Sequence, residues 1–243
     1  MSRDHTYAQH FLSSQRTVAE LIGHSNIRKN DTVYDLGAGS GIITSVLARR
    51  CKQVIAVELE PVALKKLRYN MQDFDNVTIV DKDILSLDIK EESYKIFANI
   101  PFNLSAAVVR RFTESDTPPK AMYLIVQRQF ARKLVPGNDH FTSQLAAQIG
   151  PWFVARIRKP LRKSDFTPPP NVDTVLLEIK PREELLLPKE AADSYRKFIE
   201  RSFAEQKYFT SLQRAKANIS PEKTPSQLSQ DEWLRLFATS NER

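Results

Sequence analysis

The hydrophobic and polar positions of this 243-residue chain form two alternating patterns. Short, almost continuously apolar runs, rich in Val, Ile, Tyr and Leu, are typical of strands buried on both faces of a sheet. They occupy residues 32–36, 53–57, 77–81, 95–99 and 122–127. Stretches with helical spacing lie at residues 14–24, 42–50, 61–71 and 104–112. This alternation predicts an α/β fold, with a mostly parallel sheet and helices on both faces.

The pattern changes in the last hundred residues. Two more strands are predicted at 152–158 and 172–180, separated by the proline-rich segment 167–170. That segment must be a loop, because three consecutive prolines cannot pair in a sheet. Beyond residue 181 apolar positions recur at helical spacing only, over 189–203, 210–217 and 225–237. We therefore predict a larger α/β domain over 1–181 and a small all-helical domain over 182–243, too small to be very stable alone.

Composition narrows the class of partner. The 36 Lys+Arg against 29 Asp+Glu give a net charge of +7, of which residues 1–181 hold +6, and this favours an anionic partner. A single cysteine, Cys51, excludes an intramolecular disulfide framework and favours a reducing, cytoplasmic setting. Neither an apolar run of about 18 residues nor a hydrophobic leader is present, so we expect no membrane anchor and no secretory signal. The histidines lack metal-ligand spacing, so no metal is predicted.

Three of the six glycines fall in the sequence DLGAGSG between the first strand and its helix: Gly37, Gly39 and Gly41. Glycines there let the backbone turn tightly and approach a ligand beside a helix N-terminus. Glu58 ends the second strand, where a carboxylate accepts hydrogen bonds from ribose hydroxyls, unless it is an ordinary solvated carboxylate. Asp83 follows the third strand and is a candidate for an adenine amino group, in competition with a neighbouring aspartate and with a helix-capping role.

The tetrapeptide NIPF, residues 99–102, follows the fourth strand and carries the most specific chemistry. A purine's exocyclic amine is a poor nucleophile, because its lone pair is delocalised into the ring. The Asn99 side-chain oxygen and a main-chain carbonyl near Ile100 could hold both amino hydrogens and aim the lone pair at a methyl donor. Pro101 stiffens the loop, and Phe102 offers a face for an extruded base. In isolation such a tetrapeptide is more often an Asn–Pro turn beside a core phenylalanine, but the two preceding strand ends favour methyl transfer.

These motifs occur in one order along nearly the whole chain. They are QHFL at 9–12, DLGAGSG at 35–41, Glu58 in AVELE, Asp83 in DKDIL, NIPF at 99–102 and FTPPPNVD at 166–173. The chain resembles the rRNA adenine N6-dimethyltransferases, and within them the erythromycin-resistance branch, which modifies one adenine of large-subunit (23S) rRNA. The Ile-Pro-Phe form and the short helical tail favour this branch. Its sister, which dimethylates adjacent adenines of small-subunit rRNA, more often shows Leu-Pro-Tyr and a larger tail.

The resemblance implies a Rossmann-like domain that binds S-adenosylmethionine and transfers one or two methyl groups to adenine N6. In the resistance branch this protects against macrolide, lincosamide and streptogramin B antibiotics. The implied cofactor residues are His10, Leu12, Gly37, Glu58, Asp83 and Asn99, with Gly39 and Gly41 in the same loop. Asn99 and Phe102 would also face the target adenine, and Phe166 would cover its other side. His10 stands where the family commonly has Asn, and imidazole can still make one hydrogen bond there.

Two groups of basic residues are candidate rRNA contacts. Such side chains neutralise phosphates and give a salt-dependent affinity that carries no sequence information. The groups are Arg128 and Arg132, at the predicted end of the fifth strand, and Arg156, Arg158, Lys159, Arg162 and Lys163, ahead of the proline loop. The alternative for both groups is an ordinary solvated surface. We expect a monomer whose partner is ribosomal RNA, before full ribosome assembly.

Two other classes of protein compete with this interpretation. A nucleic-acid-binding factor on the same fold would not need Asn99 and Phe102. A nicotinamide-dependent oxidoreductase would leave NIPF unexplained, and its loop is usually G-x-G-x-x-G, whereas this one is G-x-G-x-G. The sequence therefore favours an S-adenosylmethionine-dependent rRNA adenine N6-methyltransferase.

Overall fold

The computed structural model describes residues 10–135 and 142–241. In those ranges the strands are β1 (Phe11–Leu12), β2 (Thr32–Leu36), β3 (Gln53–Glu58), β4 (Val77–Asp81), β5 (Lys95–Ala98), β6 (Ala121–Gln127), β7 (Phe153–Leu161), β8 (Phe166–Thr167) and β9 (Thr174–Pro181). The α-helices are α1 (Gln15–Gly23), α2 (Ile42–Ala48), α3 (Pro61–Asn70), α4 (Ser105–Thr113), α5 (Arg128–Leu134), α6 (Gln144–Ile149), α7 (Ala192–Ala204), α8 (Gln206–Ser211) and α9 (Gln230–Asn241).

Seven strands form one sheet in the order β4-β3-β2-β5-β6-β9-β7. The pairs from β4 to β6 are parallel, and β9 runs antiparallel to β6. Strand β6 is buried along all but its last residue, which explains its continuous apolar run. Helices cover both faces, so the predicted Rossmann-like α/β fold is confirmed. The chain adds β3 and β4 on one side of β2 and then β5 and β6 on the other side. In a parallel α/β sheet, this change of direction marks a ligand crevice at the carboxyl ends of the strands.

The first helices form as their sequences predict. Ser14 caps α1, whose Val18, Leu21 and Ile22 are buried in a core cluster shared with strands β2, β3, β5 and β6. Pro61 occupies the first turn of α3, where no backbone donor is required. Each large apolar side chain buried in this way contributes about 1.5–3 kcal/mol. The apolar stripes of the sequence thus hold the helices against the sheet that carries the site.

A second, two-stranded sheet joins the start of the described chain to the proline-rich segment. Phe11 pairs with Thr167 and Leu12 with Phe166. The prediction of a loop from residue 167 is therefore wrong at Thr167, because its backbone pairs with that of Phe11. Pro168 and the two prolines after it lie outside the strands, as predicted.

The described chain divides into two compact units. The first comprises residues up to Ala131 together with Arg156–Lys180, and the second Arg132–Ala155 and the residues from Pro181 onward. One division falls a residue from the predicted boundary at 181/182. Residues 132–155, however, belong with the helical tail and not with the predicted α/β domain. The physical reason is packing: the Trp152 ring lies edge-on to Tyr195 at 5.7 Å, and the Arg182 N–H donates to the Trp152 carbonyl at 2.8 Å.

The helical tail differs from its predicted boundaries in the middle. Glu205 adopts an extended conformation that separates α7 from α8, so the helix predicted at 210–217 begins at Gln206 and ends at Ser211. Within this unit, Trp233 is buried against Phe198 and Phe203. None of the helices in the described ranges is both long and apolar enough to cross a membrane.

Candidate active site

A cavity of about 410 Å³ lies in the first unit at the carboxyl ends of β2, β3 and β5. It brings together most of the residues that the sequence singled out. They are His10, Leu12, Gly37, Glu58, Asp83, Asn99, Ile100, Pro101 and Phe102. Two predicted cofactor residues, Gly39 and Gly41, are not part of its lining. The remaining walls are largely apolar and include Ile43, Val57 and Ile84.

The glycine loop between β2 and α2 needs its glycines for shape as well as for ligand access. Gly37, Gly39 and Gly41 have φ values of 71°, 58° and 93°, in the left-handed region that side chains disfavour. A β-carbon at Gly39 would lie 3.3 Å from the Phe11 ring, and one at Gly41 would lie 2.8 Å from Leu67 Cδ1. Gly37 alone of the three faces the cavity. The loop therefore supplies two lining residues, Gly37 and Ala38, and brings its backbone at Gly39 and Gly41 close to neighbouring side chains.

Glu58 holds the glycine loop and still has acceptor capacity. One carboxylate oxygen accepts from the Gly39 N–H at 2.7 Å, and the other accepts from the N–H groups of Leu59 and Glu60 at 2.9 Å each. The side chain is buried, yet it lines the cavity. A carboxylate has about four lone-pair positions, so one more hydroxyl can be accommodated. Glu58 is thus a rigid acceptor, suited to ribose hydroxyls.

Asp35, immediately before the glycine loop, was not singled out by the sequence analysis. It is fully buried; one oxygen accepts from the Thr44 hydroxyl at 2.6 Å, and the other has no hydrogen-bond partner among the described residues. Burial, reinforced by the nearby Glu58 carboxylate, raises the pKa of Asp35 to about 7. A charged residue inside the apolar run TVYDL was the signal that could have found it. Asp35 does not line the cavity, so this oxygen is a feature of the buried strand and not a ligand contact.

Asp83 caps a short helix and also lines the cavity. Its side chain accepts from the Leu85 N–H at 2.9 Å and so caps the short 3-10 helix Ile84–Ser86. Asp83 also lines the cavity, just beyond the end of β4, whereas Asp81 does not line it. The capping bond uses one oxygen and leaves the other for a ligand amine.

Asn99 has a fixed orientation, and this is the most informative feature of the site. Its amide nitrogen donates to the His10 carbonyl oxygen at 2.7 Å. A carbonyl oxygen can only accept, so the amide cannot be flipped without losing this bond. The side-chain oxygen of Asn99 has no partner among the described residues and remains an available acceptor beside Phe102. Phe102 lines the cavity together with Asn99 and is the first residue of a short 3-10 helix, Phe102–Leu104.

The lining fits S-adenosylmethionine. Glu58 matches the ribose hydroxyls and Asp83 the adenine amino group, while the apolar walls match the purine faces. Gly37, with its left-handed backbone, lines the same cavity. A cofactor that carries an adenosine group therefore suits the residues of this lining.

Comparison with known proteins identifies the family. Residues 2–235 match the family described as ribosomal RNA adenine dimethylase. The chain belongs to this family. It is therefore an rRNA adenine N6-methyltransferase that uses S-adenosylmethionine. The match covers the cavity residues as well as most of the helical tail.

Relatives of this dimethylase come from both of its branches. An rRNA adenine N-6-methyltransferase of Limosilactobacillus reuteri is 29% identical over 174 residues, 71% of this chain and 69% of that protein. A ribosomal RNA small subunit methyltransferase A of Crocosphaera subtropica is 30% identical over 197 residues, 74% of this chain and 72% of that protein. The crystal structure of the 23S rRNA methyltransferase ErmE has a TM-score of 0.80 at 25% identity, and the alignment covers 94% of this chain and 98% of ErmE.

One adenine contact expected of this dimethylase does not agree with the structure. Phe166 is only 2% exposed and belongs to the core cluster that also buries the apolar side chains of α1. It does not line the cavity. The cause is strand pairing, because the register that sets Leu12 opposite Phe166 places both side chains in that core. The proposed cover on the second face of the adenine is thus corrected to a packing role.

The basic residues predicted to hold rRNA differ in how far they are already engaged. Lys159 forms an ion pair with Glu20, and Arg158 lies 3.7 Å from Glu178 and donates to the His24 carbonyl. Exposed Arg156 has no ion pair among the described residues. These contacts partly neutralise the cluster.

The other predicted rRNA contacts also have protein partners. Arg162 lies 3.3 Å from Asp165, and the Lys163 ammonium donates to the Asn171 carbonyl at 3.1 Å. Arg128 lies 3.9 Å from Asp173. Arg132 belongs to the second unit, so the predicted basic strand edge is instead part of helix α5 and is divided between the units.

Proposed function

We propose that this protein transfers one or two methyl groups to N6 of a single adenine in 23S rRNA, giving resistance to macrolide, lincosamide and streptogramin B antibiotics. It acts as a cytoplasmic monomer on rRNA before full ribosome assembly. The likeness to ErmE over 94% of the chain supports the large-subunit substrate. The Ile-Pro-Phe form of the motif supports the same branch.

The orientation of Asn99 carries the chemical part of the proposal. Because its amide nitrogen is held by the His10 carbonyl, its oxygen is presented as an acceptor for one N6 hydrogen. The main-chain carbonyl near Ile100 takes the other. Two acceptors together draw the nitrogen lone pair out of conjugation with the ring, and this makes N6 a better nucleophile. Phe102 supports the base by stacking.

When bound, S-adenosylmethionine would supply an electrophilic methyl group on a positively charged sulfur, at which Asn99 and the carbonyl near Ile100 would aim the N6 lone pair. The chain itself does not need a strong base, because the amine becomes acidic once it is alkylated. The task of Asn99 and Phe102 is to position the adenine for in-line attack. Glu58 and Asp83 hold the adenosine of the cofactor at the other end of the cavity.

A small-subunit substrate is the second candidate. It is favoured by relatives named small subunit methyltransferase, which are as similar to this chain as those named rRNA adenine N-6-methyltransferase. In that case the enzyme would dimethylate adjacent adenines during ribosome biogenesis. A non-catalytic nucleic-acid-binding role on the same fold is disfavoured, because binding alone would not need the held orientation of Asn99.

The deciding experiment is incubation with radiolabelled S-adenosylmethionine and separated ribosomal RNAs, followed by mapping of the methylated base. Label at one adenine of 23S rRNA supports the proposal. Label on small-subunit RNA supports the second candidate, and no label on either RNA contradicts both.

Asn99→Ala should reduce transfer at least about 100-fold, since both the acceptor and the anchor to residue 10 are lost. Binding of S-adenosylmethionine, measured by calorimetry, should weaken far less. Asn103→Ala is the matched control, because Asn103 is exposed in the nearby 3-10 helix Phe102–Leu104 and does not line the cavity. Turnover of Asn99→Ala equal to that of Asn103→Ala would refute the proposed amine alignment.

A further inference from the structure

His10 contacts both groups that are proposed to handle the adenine. Its backbone carbonyl accepts from the amide of Asn99 at 2.7 Å. Its ring is stacked with Phe102, with centroids 5.8 Å apart and planes inclined by 29°. Its Nδ1 lies 2.8 Å from the carbonyl oxygen of Pro168, in the proline loop. One residue thus joins the acceptor, the stacking ring and a loop 158 positions away.

The hydrogen bond to Pro168 shows that Nδ1 of the His10 ring is a donor. A carbonyl oxygen only accepts, so Nδ1 carries the proton in this contact. The ring is held on one side by Pro168 and on the other by Phe102, and this anchors the backbone whose carbonyl holds Asn99. Sequence resemblance expects asparagine at this position. An asparagine Nδ2 is attached to Cγ just as a histidine Nδ1 is, so histidine keeps that donor and adds a ring.

We propose that His10 is a positioning residue for the target adenine. Its ring covers one face of Phe102, so the adenine stacks on the opposite face. Its carbonyl sets the Asn99 oxygen at the level of the adenine amino group. The inference rests on the proposed methyl transfer and adds the residue that aligns the two adenine contacts. The loss of Phe166 as a cover makes this second ring more important.

Three substitutions separate the two contributions of the side chain. His10→Asn keeps a donor for Pro168 and removes most of the ring, and His10→Phe keeps the ring and removes the donor. His10→Ala removes both. His24→Ala is the matched control, because His24 lies at the far end of α1 and does not line the cavity.

The rate to measure is single-turnover methylation of rRNA at saturating cofactor and RNA. We expect His10→Asn and His10→Phe to slow transfer about 10-fold each and His10→Ala about 100-fold, the scale of a small misplacement of reacting groups. His24→Ala should stay at the wild-type rate. Affinity for S-adenosylmethionine, measured without RNA, is a separate readout because His10 lines the cofactor cavity, and the rates are compared at a concentration that saturates every variant.

A second readout does not depend on chemistry. An rRNA fragment with 2-aminopurine at the mapped adenine should lose fluorescence on binding the wild-type protein, since the base stacks on Phe102. His10→Phe should keep this loss, and His10→Asn and His10→Ala should diminish it. Thermal unfolding of each variant identifies any that is not folded, and the other substitutions then carry the test.

Each outcome has one meaning. Wild-type rates in His10→Ala, with an active wild-type enzyme, overturn the positioning role and leave the proposed function intact. A loss of rate that is fully restored by raising the cofactor concentration overturns it as well, because His10 would then act on the cofactor. If the wild-type enzyme labels no rRNA, the proposed function fails, and this inference fails with it.

Discussion

A carboxyl group buried in an apolar strand makes the stability of the protein sensitive to pH. Asp35 has one hydrogen-bonded oxygen and one without a partner among the described residues. Its pKa is raised from 3.8 to about 7, mainly by burial. The native state therefore binds a proton more tightly than the unfolded state does. This stabilising effect is complete below pH 3.8 and is lost as the pH rises through about 7.

Asp35→Asn should remove that pH dependence. Between pH 5 and pH 8, the wild-type protein should lose about 2–3 kcal/mol of unfolding free energy relative to Asp35→Asn, at about 1.4 kcal/mol per unit up to the folded pKa. Urea unfolding of both proteins without cofactor, at each pH, measures the difference. A constant gap between the two proteins would show that Asp35 is ionised at both pH values.

Motif residues were predictable where a side chain follows directly from the end of a buried strand. Glu58 and Asn99 are examples, because strand ends in a parallel sheet meet at one edge and strand bounds can be located from apolar runs. Phe166 was not predictable in this way. Its burial depends on pairing with Leu12, and no local pattern carries that partner.

At the level of single elements, the turn from β2 into α2 depends on a glycine at its last position. Gly41 precedes the helix with φ of 93°, and a β-carbon there would lie 2.8 Å from Leu67 Cδ1. Leu67 is completely buried, so it has little room to move. Gly23, at the end of α1, offers the opposite case, with nothing within 4 Å of the added atom.

Gly41→Ala should therefore destabilise the protein by about 1–3 kcal/mol, from backbone strain together with overpacking. Gly23→Ala is the matched control and should be neutral or stabilising by up to about 1 kcal/mol, since it lowers the entropy of the unfolded chain within a helix. Chemical denaturation of the two variants beside the wild type tests the pair. Equal stability of both variants would contradict the role of the positive φ.

The elements that escaped prediction are short. Helices α5 and α6 have only seven and six residues, and α6 buries the small Ala147 and the polar Gln148 beside Leu145 and Ile149. Their hydrophobic periodicity is too brief to distinguish a helix from a loop. The long strands and α3 were predicted to within a few residues, because their apolar runs and capping residues extend over the whole element.

For the molecule as a whole, charge is the property that should govern rRNA affinity. Exposed Arg156 has no ion pair in the described ranges, and Lys163 contacts only a backbone carbonyl. Lys159 is neutralised by Glu20. The basic residues between 156 and 163, which were predicted to form one rRNA-binding group, thus differ in how available they are for phosphates.

Arg156→Gln and Lys163→Gln should each reduce the slope of log affinity against log salt by about 0.7 to 0.9, the value for one lost phosphate contact. Lys159→Gln should change the slope less, because its charge is already compensated. Filter binding of 23S rRNA across a salt series measures all three. Identical slopes in the three variants and the wild type would assign these residues to ordinary surface.

The division into two units was only half accessible from sequence. The shift to helical periodicity beyond residue 181 lies one residue from a division between the two compact units. The earlier segment 132–155 contains no such shift in periodicity. It joins the second unit through tertiary contacts, such as those of Trp152 with Tyr195 and Arg182. Chain segments that return to a distant partner are recognised only once the tertiary contacts are known.

The pairing of β1 with β8 also has a consequence for the order of synthesis. The first part of the site to leave the ribosome is the segment around His10, and its partner Pro168 is made 158 residues later. At about 5–20 residues per second, the early segment waits on the order of ten seconds or more before its partner exists. Until Pro168 has emerged, the nascent chain lacks the anchor for the His10 backbone that holds Asn99. We therefore expect competence to modify rRNA to arise only after this segment has been made.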